Sequence, residues 1–208
     1  MVCADVSRGD STDYSAFHVL DIESLEQVAE YKGRMSTRDY GNLLVNIATE
    51  YNNALLVIEN NNIGWATIQQ TIDRGYENLF YMSKDLQVVD VHRQINNIIN
   101  RMEKGLVPGF TLTSKTRPLV IAKLEEFFRE KSVIVHSQRL IDELFVFIYN
   151  GSRAEAMRGY NDDLVMSFAI GLWVRDTALR LRTEGIELVK KSLNTMLDTD
   201  GLLSLIHI

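Results

Sequence analysis

Four carboxylates stand where the chain changes character. Asp5 closes the short apolar run Val2 to Ala4, Glu59 closes the run ALLVIE (Ala54 to Glu59), and Asp162 with Asp163 opens LVMSFAIGLWV. Each has an ordinary explanation. An Asp side chain hydrogen-bonds nearby backbone N–H groups in turns, and a Glu beyond a strand end reaches solvent. Asp is also a preferred helix cap and suits the positive end of the helix dipole. Each has a chemical explanation too. A carboxylate ending a fully apolar strand is costly to desolvate unless something neutralises it. Two adjacent aspartates exceed what capping requires and repel each other, which a divalent cation relieves. Asp is disfavoured inside strands, yet a rigid sheet is a good platform for a metal-binding carboxylate. Residue by residue, both readings stand. Two strand ends and one helix start can nevertheless meet at one sheet edge, whatever their separation in sequence. Oxygen ligands without Cys or clustered His favour Mg²⁺ or Mn²⁺ over zinc.

The elements that would position these groups are read from periodicity. Val2 to Ala4, a polar loop from Ser7 to Ser11, and the alternation of Ser15, Phe17 and Val19 with Ala16, His18 and Leu20 have the form of a β-hairpin. Gln27 to Lys32 is expected as a third strand. Ser36, with Asp39 three residues on, begins a helix whose apolar face is Tyr40, Leu43, Leu44 and Ile47. Ala54 to Glu59 reads as a strand buried on both faces. Trp65, Ile68 and Ile72 stripe the next helix, which Gly75 ends. Leu79 to Met82 is a short strand. Ile95, Ile98 and Met102 imply a helix within Lys84 to Lys104, and Gly105 to Thr113 reads as a loop.

Thr116 is expected to cap a helix with Pro118 in its tolerated first turn and Val120, Ile121, Leu124, Phe127 and Phe128 on its buried face. Val133 to Val135 is a brief strand. Leu140, Leu144 and Phe147 line a helix, and Leu164, Phe168 and Leu172 stack in the last strongly apolar one. His18 is read as structural and His136 as a cap or surface residue; Asn60 to Asn62 either shape the site or turn the chain, and the turn is preferred. Trp65, Trp173 and the phenylalanines are read as core. Strands alternating with helices imply a mixed α/β layer fold.

At 208 residues the chain is long enough for one well-packed domain, alone or with a tail. A single cysteine, Cys3, rules out an intrachain disulfide and fits a reducing cytosol. No apolar run approaches the ~18 residues that span a bilayer, and no signal peptide is recognisable. The net charge of −6 argues against nucleic acid, but its distribution weakens that argument. From Lys84 to Arg158 there are 12 Lys+Arg against 9 Asp+Glu, and elsewhere 10 against 19. A basic middle beside an acidic frame suits a metal-dependent site acting on phosphates.

Four stretches in order, ADVSRGDSTDYSAFHVLD, VIENNNIG, PGFTLTSKTRPLVI and GYNDDLVMSFAIG, resemble the nuclease domain of the large terminase subunit of T-even-type tailed bacteriophages. The resemblance covers roughly Val2 to Arg180. It implies a ribonuclease-H-like fold, a mixed sheet flanked by helices on both faces, over residues 1–182; the polar, amphipathic end from about Arg180 reads as a helical tail over 183–208, partly unassigned. It implies metal-dependent endonucleolytic cutting of concatemeric viral DNA during genome packaging, in the cytoplasm of an infected bacterial host. Asp5 then matches the first catalytic acid and Glu59 the second, and the third falls on the Asp162–Asp163 pair. Asp163 is preferred because it lies three residues before Met166, where distant relatives often place another acid. Asp162 is the alternative, and Asp13 matches a supporting acidic position. The family's ATPase motor has no counterpart here, since no GxxxxGK[ST] loop is present. The chain reads as a nuclease half whose implied partners are double-stranded DNA, the packaging ATPase domain, the portal and the small terminase subunit, with no membrane.

On that reading Asp5 bridges two Mg²⁺ or Mn²⁺ ions, with Glu59 and Asp163 each biased to one. One ion activates water and the other stabilises the departing 3′ oxygen. Phosphate contacts are expected from Arg8, from Lys115 and Arg117 of the SKTRP loop, and from Arg153 and Arg158. Nothing resembles a base-reading helix, so little sequence specificity is expected. Two alternatives stand: another ribonuclease-H-like enzyme such as a junction resolvase, or a non-catalytic module docking a packaging motor on portal and DNA.

Overall fold

The computed structural model describes residues 1–8, 13–83 and 105–177. The helix expected within Lys84 to Lys104 and the tail expected over 183–208 lie outside these residues. The described strands are β1 (Val2–Asp5), β2 (Ser15–Asp21), β3 (Glu26–Gly33), β4 (Leu56–Ile58), β5 (Tyr81–Ser83), β6 (Leu106–Pro108), β7 (Phe147–Asn150) and β8 (Arg153–Ala156). The helices are α1 (Thr37–Glu50), α2 (Gly64–Asp73), α3 (Thr116–Arg129), α4 (Gln138–Phe145) and α5, residues 163–177.

The main sheet has the order β3-β2-β1-β4. β1 pairs antiparallel with β2 and parallel with β4. Because side chains alternate across a strand, β1 and β4 serve two cores. Val2, Ala4, Leu56 and Ile58 face Tyr40 and Leu44 of α1 and Ile68 of α2. Cys3 and Val57 face the other way, among Leu164, Phe168 and Leu172 of α5 and Val120 and Leu124 of α3. Helices therefore cover both faces of a mixed sheet, as expected. The last helix rests closely on the sheet, since a Cβ at Gly171 would lie 2.7 Å from Leu20 and 2.8 Å from the Cys3 sulfur. Ser36 caps α1, its hydroxyl accepting from the Asp39 N–H at 3.1 Å and donating to the Asp39 carboxylate at 2.7 Å.

A buried polar chain ties the two sheet strands to both later helices. His136 and Ser137 donate their backbone N–H groups to Gln27 Oε1 at 2.9 and 2.8 Å. That fixes the amide, so Gln27 Nε2 donates to His18 Nδ1 at 2.7 Å. His18 Nε2 then donates to the Leu164 carbonyl at 3.0 Å. Each carbonyl can only accept and each amide N–H only donate, so the neutral Nε2–H tautomer follows. His18 is structural, as read, and His136 is an exposed residue bonded to Glu26.

Several expectations need correction. Gly105 to Thr113 is not all loop: Leu106–Pro108 pairs antiparallel with Tyr81–Ser83 as β6, and Phe110 bridges to Glu59. The strand expected at Leu79 to Met82 begins at Tyr81, with Leu79 making a single bridge to Leu56. Val133 to Val135 reduces to one bridge, Ile134 to Glu26. Thr116 is the first residue of α3 and not its cap; the loop before it is held by Thr113, whose hydroxyl accepts from the Lys115 and Thr116 N–H groups at 3.2 and 3.0 Å. Phe147 belongs to the β7–β8 hairpin and not to α4. Trp65 is 43% exposed and Phe145 79% exposed, so neither is core. No helix among the described residues is long and apolar enough to cross a membrane.

Candidate active site

Register brings the first two acids together. β1 and β4 run parallel with Ala4 opposite Ile58, and the Glu59 N–H donates to the Ala4 carbonyl at 2.9 Å. The next residue on each strand is a carboxylate. Both follow by two positions a residue of the α5-facing core, Cys3 and Val57, so both turn toward that face. Their carboxyls bear on each other's ionisation, and both are held above the ordinary carboxylate range. The leading cause in each case is burial; for Asp5 the neighbouring Glu59 charge adds to it. Two buried like charges this near each other disfavour ionisation of both, and a cation between them would relieve that.

The loop after β4 fixes Glu59. Asn61 donates from one amide nitrogen to Glu59 Oε1 at 2.9 Å and to the Leu112 carbonyl at 2.5 Å. Asn60 is buried and donates to the Pro108 carbonyl at 2.9 Å. Gly64 opens α2 so close behind that a Cβ there would stand 2.0 Å from the Glu59 carbonyl oxygen. Asn60 and Asn61 therefore do more than turn the chain, which corrects the reading of this stretch.

Asp162 and Asp163 sit at the start of α5. The capping explanation does not apply to their side chains in the expected way, because the N–H groups of Leu164 and Val165 go to Glu143 Oε2 of α4, at 2.9 and 3.1 Å. Asp162 instead receives the Arg117 guanidinium at 2.6 Å. Asp163 Oδ2 lies 3.4 Å from the Lys32 ammonium, 3.3 Å from Asn161 Nδ2 and 3.4 Å from the Tyr14 N–H. Burial raises the Asp163 pKa, and Lys32 opposes that shift.

These residues meet. Asp5, Asp13, Glu59, Asp162 and Asp163 line one cavity of about 680 Å³, with Arg8 also in its wall. A second groove of about 710 Å³ shares Glu59, Asn61 and Asn62 with it and continues past Arg117, Tyr149 and Arg153. Lys115 and Arg158 are exposed. Arg117 is engaged twice, by Asp162 and by the Ala154 carbonyl at 3.1 Å. Among the described residues no three His, Cys, Asp or Glu side chains form a ready-made metal cluster. Asp5 and Glu59 face each other, while Asp162 and Asp163 face Arg117 and Lys32.

Sequence reasoning missed Lys32, Tyr14 and Glu143. Glu143 had a signal: it occupies the i+3 place of the stripe begun by Leu140, where an apolar residue is expected. Lys32 on a half-exposed strand had none.

No family model matches the chain. The fold is similar to the large terminase nuclease from thermophilic phage G20c solved with bound magnesium, at 19% identity and a TM-score of 0.60, covering 82% of this chain and 78% of that one. The same nuclease with bound cobalt gives 20% and 0.57 over 82% and 78%. The large terminase nuclease domain of Thermus phage P74-26 gives 20% and 0.54 over 81% and 76%. The fold is ribonuclease-H-like.

Proposed function

We propose that this chain is a divalent-metal-dependent endonuclease domain acting on double-stranded DNA, of the large-terminase kind that its motifs resemble. The observation that carries the reading is the pairing of Asp5 with Glu59 at the ends of parallel strands, in one cavity with Asp162 and Asp163. The donor set fits a hard cation: all oxygen, with burial holding two of the acids above the ordinary carboxylate range. Asp5, Glu59 and Asp163 are the proposed ligands, with Asp162 beside them and Asp13 supporting. Bound Mg²⁺ or Mn²⁺ supplies activation of water and charge stabilisation at the departing 3′ oxygen. The similar G20c nuclease holds magnesium or cobalt.

The chain's own residues supply the rest. Arg8 in the cavity wall and Arg153 in the adjoining groove can hold phosphates on either side of the acids, with Lys115 and Arg158 beyond. Arg117 contributes positive charge while keeping Asp162 in place. Contacts of this kind position the backbone and read no bases, so cutting is sequence-tolerant. In context the domain, residues 1–182 followed by a tail over 183–208, cuts concatemeric phage DNA in the cytoplasm of an infected bacterium. The T-even-type packaging ATPase, portal and small terminase subunit are its partners.

The test is nicking of supercoiled plasmid with Mg²⁺ or Mn²⁺. Activity lost in Asp5→Ala supports the enzyme. Absence of activity in both proteins supports the docking module, and preferential cutting of a four-way junction supports the resolvase.

A further inference from the structure

Lys32 and Glu143 stand behind the acid cavity and not among the residues that line it. Their side chains are only 15% and 10% exposed. Glu143 uses its two oxygens for two tasks. Oε1 pairs with the Lys32 ammonium, and Oε2 accepts the first N–H groups of α5, from Leu164 and Val165. Lys32 in turn reaches Asp163 Oδ2 at 3.4 Å and stacks its charge 4.8 Å above the Tyr14 ring.

A helix start is usually capped by the residue that begins it. Here a glutamate 21 positions before Leu164 takes that task, so the carboxylates of Asp162 and Asp163 are left to face the cavity. The contacts from Lys32, Asn161 and Tyr14 all fall on Asp163 Oδ2, which among the described residues leaves Oδ1 for a cavity ligand. A buried ion pair is weak evidence for stability. Its worth here lies in geometry.

We infer that Lys32 and Glu143 are a positioning pair, which sets the start of α5 and the Asp163 carboxylate for divalent-cation binding without touching cation or DNA. The inference rests on the metal reading above. Groups that hold a metal-binding side chain in place typically change affinity or activity by about 10- to 100-fold when removed.

The deciding variant is Lys32→Met/Glu143→Gln. It removes one charge of each sign, so the net charge near the cavity is kept, and the amide introduced in place of Glu143 retains an acceptor for the helix start. Mn²⁺ binding is followed by electron paramagnetic resonance, plasmid nicking by kcat and KM, and the Asp163 rotamer by crystallography. The expected result is a folded protein whose Mn²⁺ affinity and kcat both fall about tenfold or more, with KM for DNA unchanged and Asp163 displaced. The exposed pair Arg129 and Glu125, both on α3, neutralised in the same way, leaves all three readouts unchanged. A folded double variant with native Mn²⁺ affinity, native kcat and an unmoved Asp163 overturns the inference. Should the double variant not fold, Glu143→Gln alone is read by the same criteria. If the unmodified chain neither binds Mn²⁺ nor cuts, the nuclease reading falls, and the Asp163 rotamer alone decides the positioning claim.

Discussion

Asp5 and Glu59 each follow directly on the Ala4–Ile58 register pair, and the Glu59 charge bears on the Asp5 carboxyl. Two acids this close oppose folding and favour a cation. Asp5→Asn is therefore expected to move stability and activity in opposite directions, as happens where active sites are built under strain. Its thermal midpoint in chelator should rise, by an amount equivalent to ~0.5–2 kcal/mol, while metal-dependent nicking falls at least ~100-fold. The pH dependence gives the sign. Burial and Glu59 raise the Asp5 pKa above the ordinary 3.8, so the folded chain keeps a proton that the unfolded chain releases. This group's contribution is full below 3.8 and is lost as pH rises toward its folded-state pKa. Chelator melts at about pH 4 to 7 should show that decline in the parent and a shallower one in the variant.

Arg117 joins three elements: its own helix α3, the Ala154 carbonyl of β8 and Asp162 at the start of α5. Arg117→Ala should cost roughly 1.5–3 kcal/mol in urea unfolding, the scale for hydrogen bonds to charged groups. Arg117→Lys should recover less than half of that, because an ammonium cannot reproduce the fork that spans both acceptors. Full recovery by lysine would mean that only the charge matters.

His18 predicts an acid limit to stability. Burial pushes its pKa down to about 3 against an ordinary 6.5. The folded chain keeps it neutral while the unfolded chain protonates it. Its contribution is thus complete above pH 6.5 and declines as pH falls from 6.5 toward 3, at about 1.4 kcal/mol per pH unit. His18→Gln should be less stable at about pH 7 yet lose less between about pH 7 and 5. Equal slopes for the two proteins in urea melts would contradict the buried neutral imidazole.

Cys3 offers a reporter. Burial pushes its thiol up to about 12, and it packs beneath Gly171. A thiol reagent needs an accessible thiolate, so labelling in the folded state should be at least ~100-fold slower than in urea and should track global opening. Gly171→Ala, which forces a methyl against Leu20 and Cys3, should raise the labelling rate.

Much of this arrangement is legible in sequence because it is local. The alternation from Ser15 to Leu20 is enough to define β2, and the apolar run before Glu59 is enough to define β4. Their adjacency follows once β1 is recognised as short and buried. What escapes is pairing at a distance. Leu106–Pro108 carries a proline before a glycine and reads as a turn, and only its partner Tyr81–Ser83 makes it a strand. Phe147 completes a helical spacing begun at Leu140, yet Gly151–Ser152 between two short runs is a hairpin signal that outweighs it. Trp65 fits the stripe of α2 but lies in its first turn, at the margin of the packed layer. Of the site, the acids show because carboxylates at strand ends are unusual. Lys32 does not, since a lysine on a half-exposed strand is the commonest of observations.

The strand carrying Asp5 comes first among the described elements, and the helix carrying Asp163 comes last. During synthesis on a ribosome, the residues up to Glu59 can emerge and pair their strands with two of the three proposed ligands in place and not the third. The cavity is completed only when the later elements have been made and α5 has docked over Cys3. A nascent chain that stops short of α5 accordingly carries no finished acid pocket, and the chemistry proposed for it is withheld until that helix has left the tunnel.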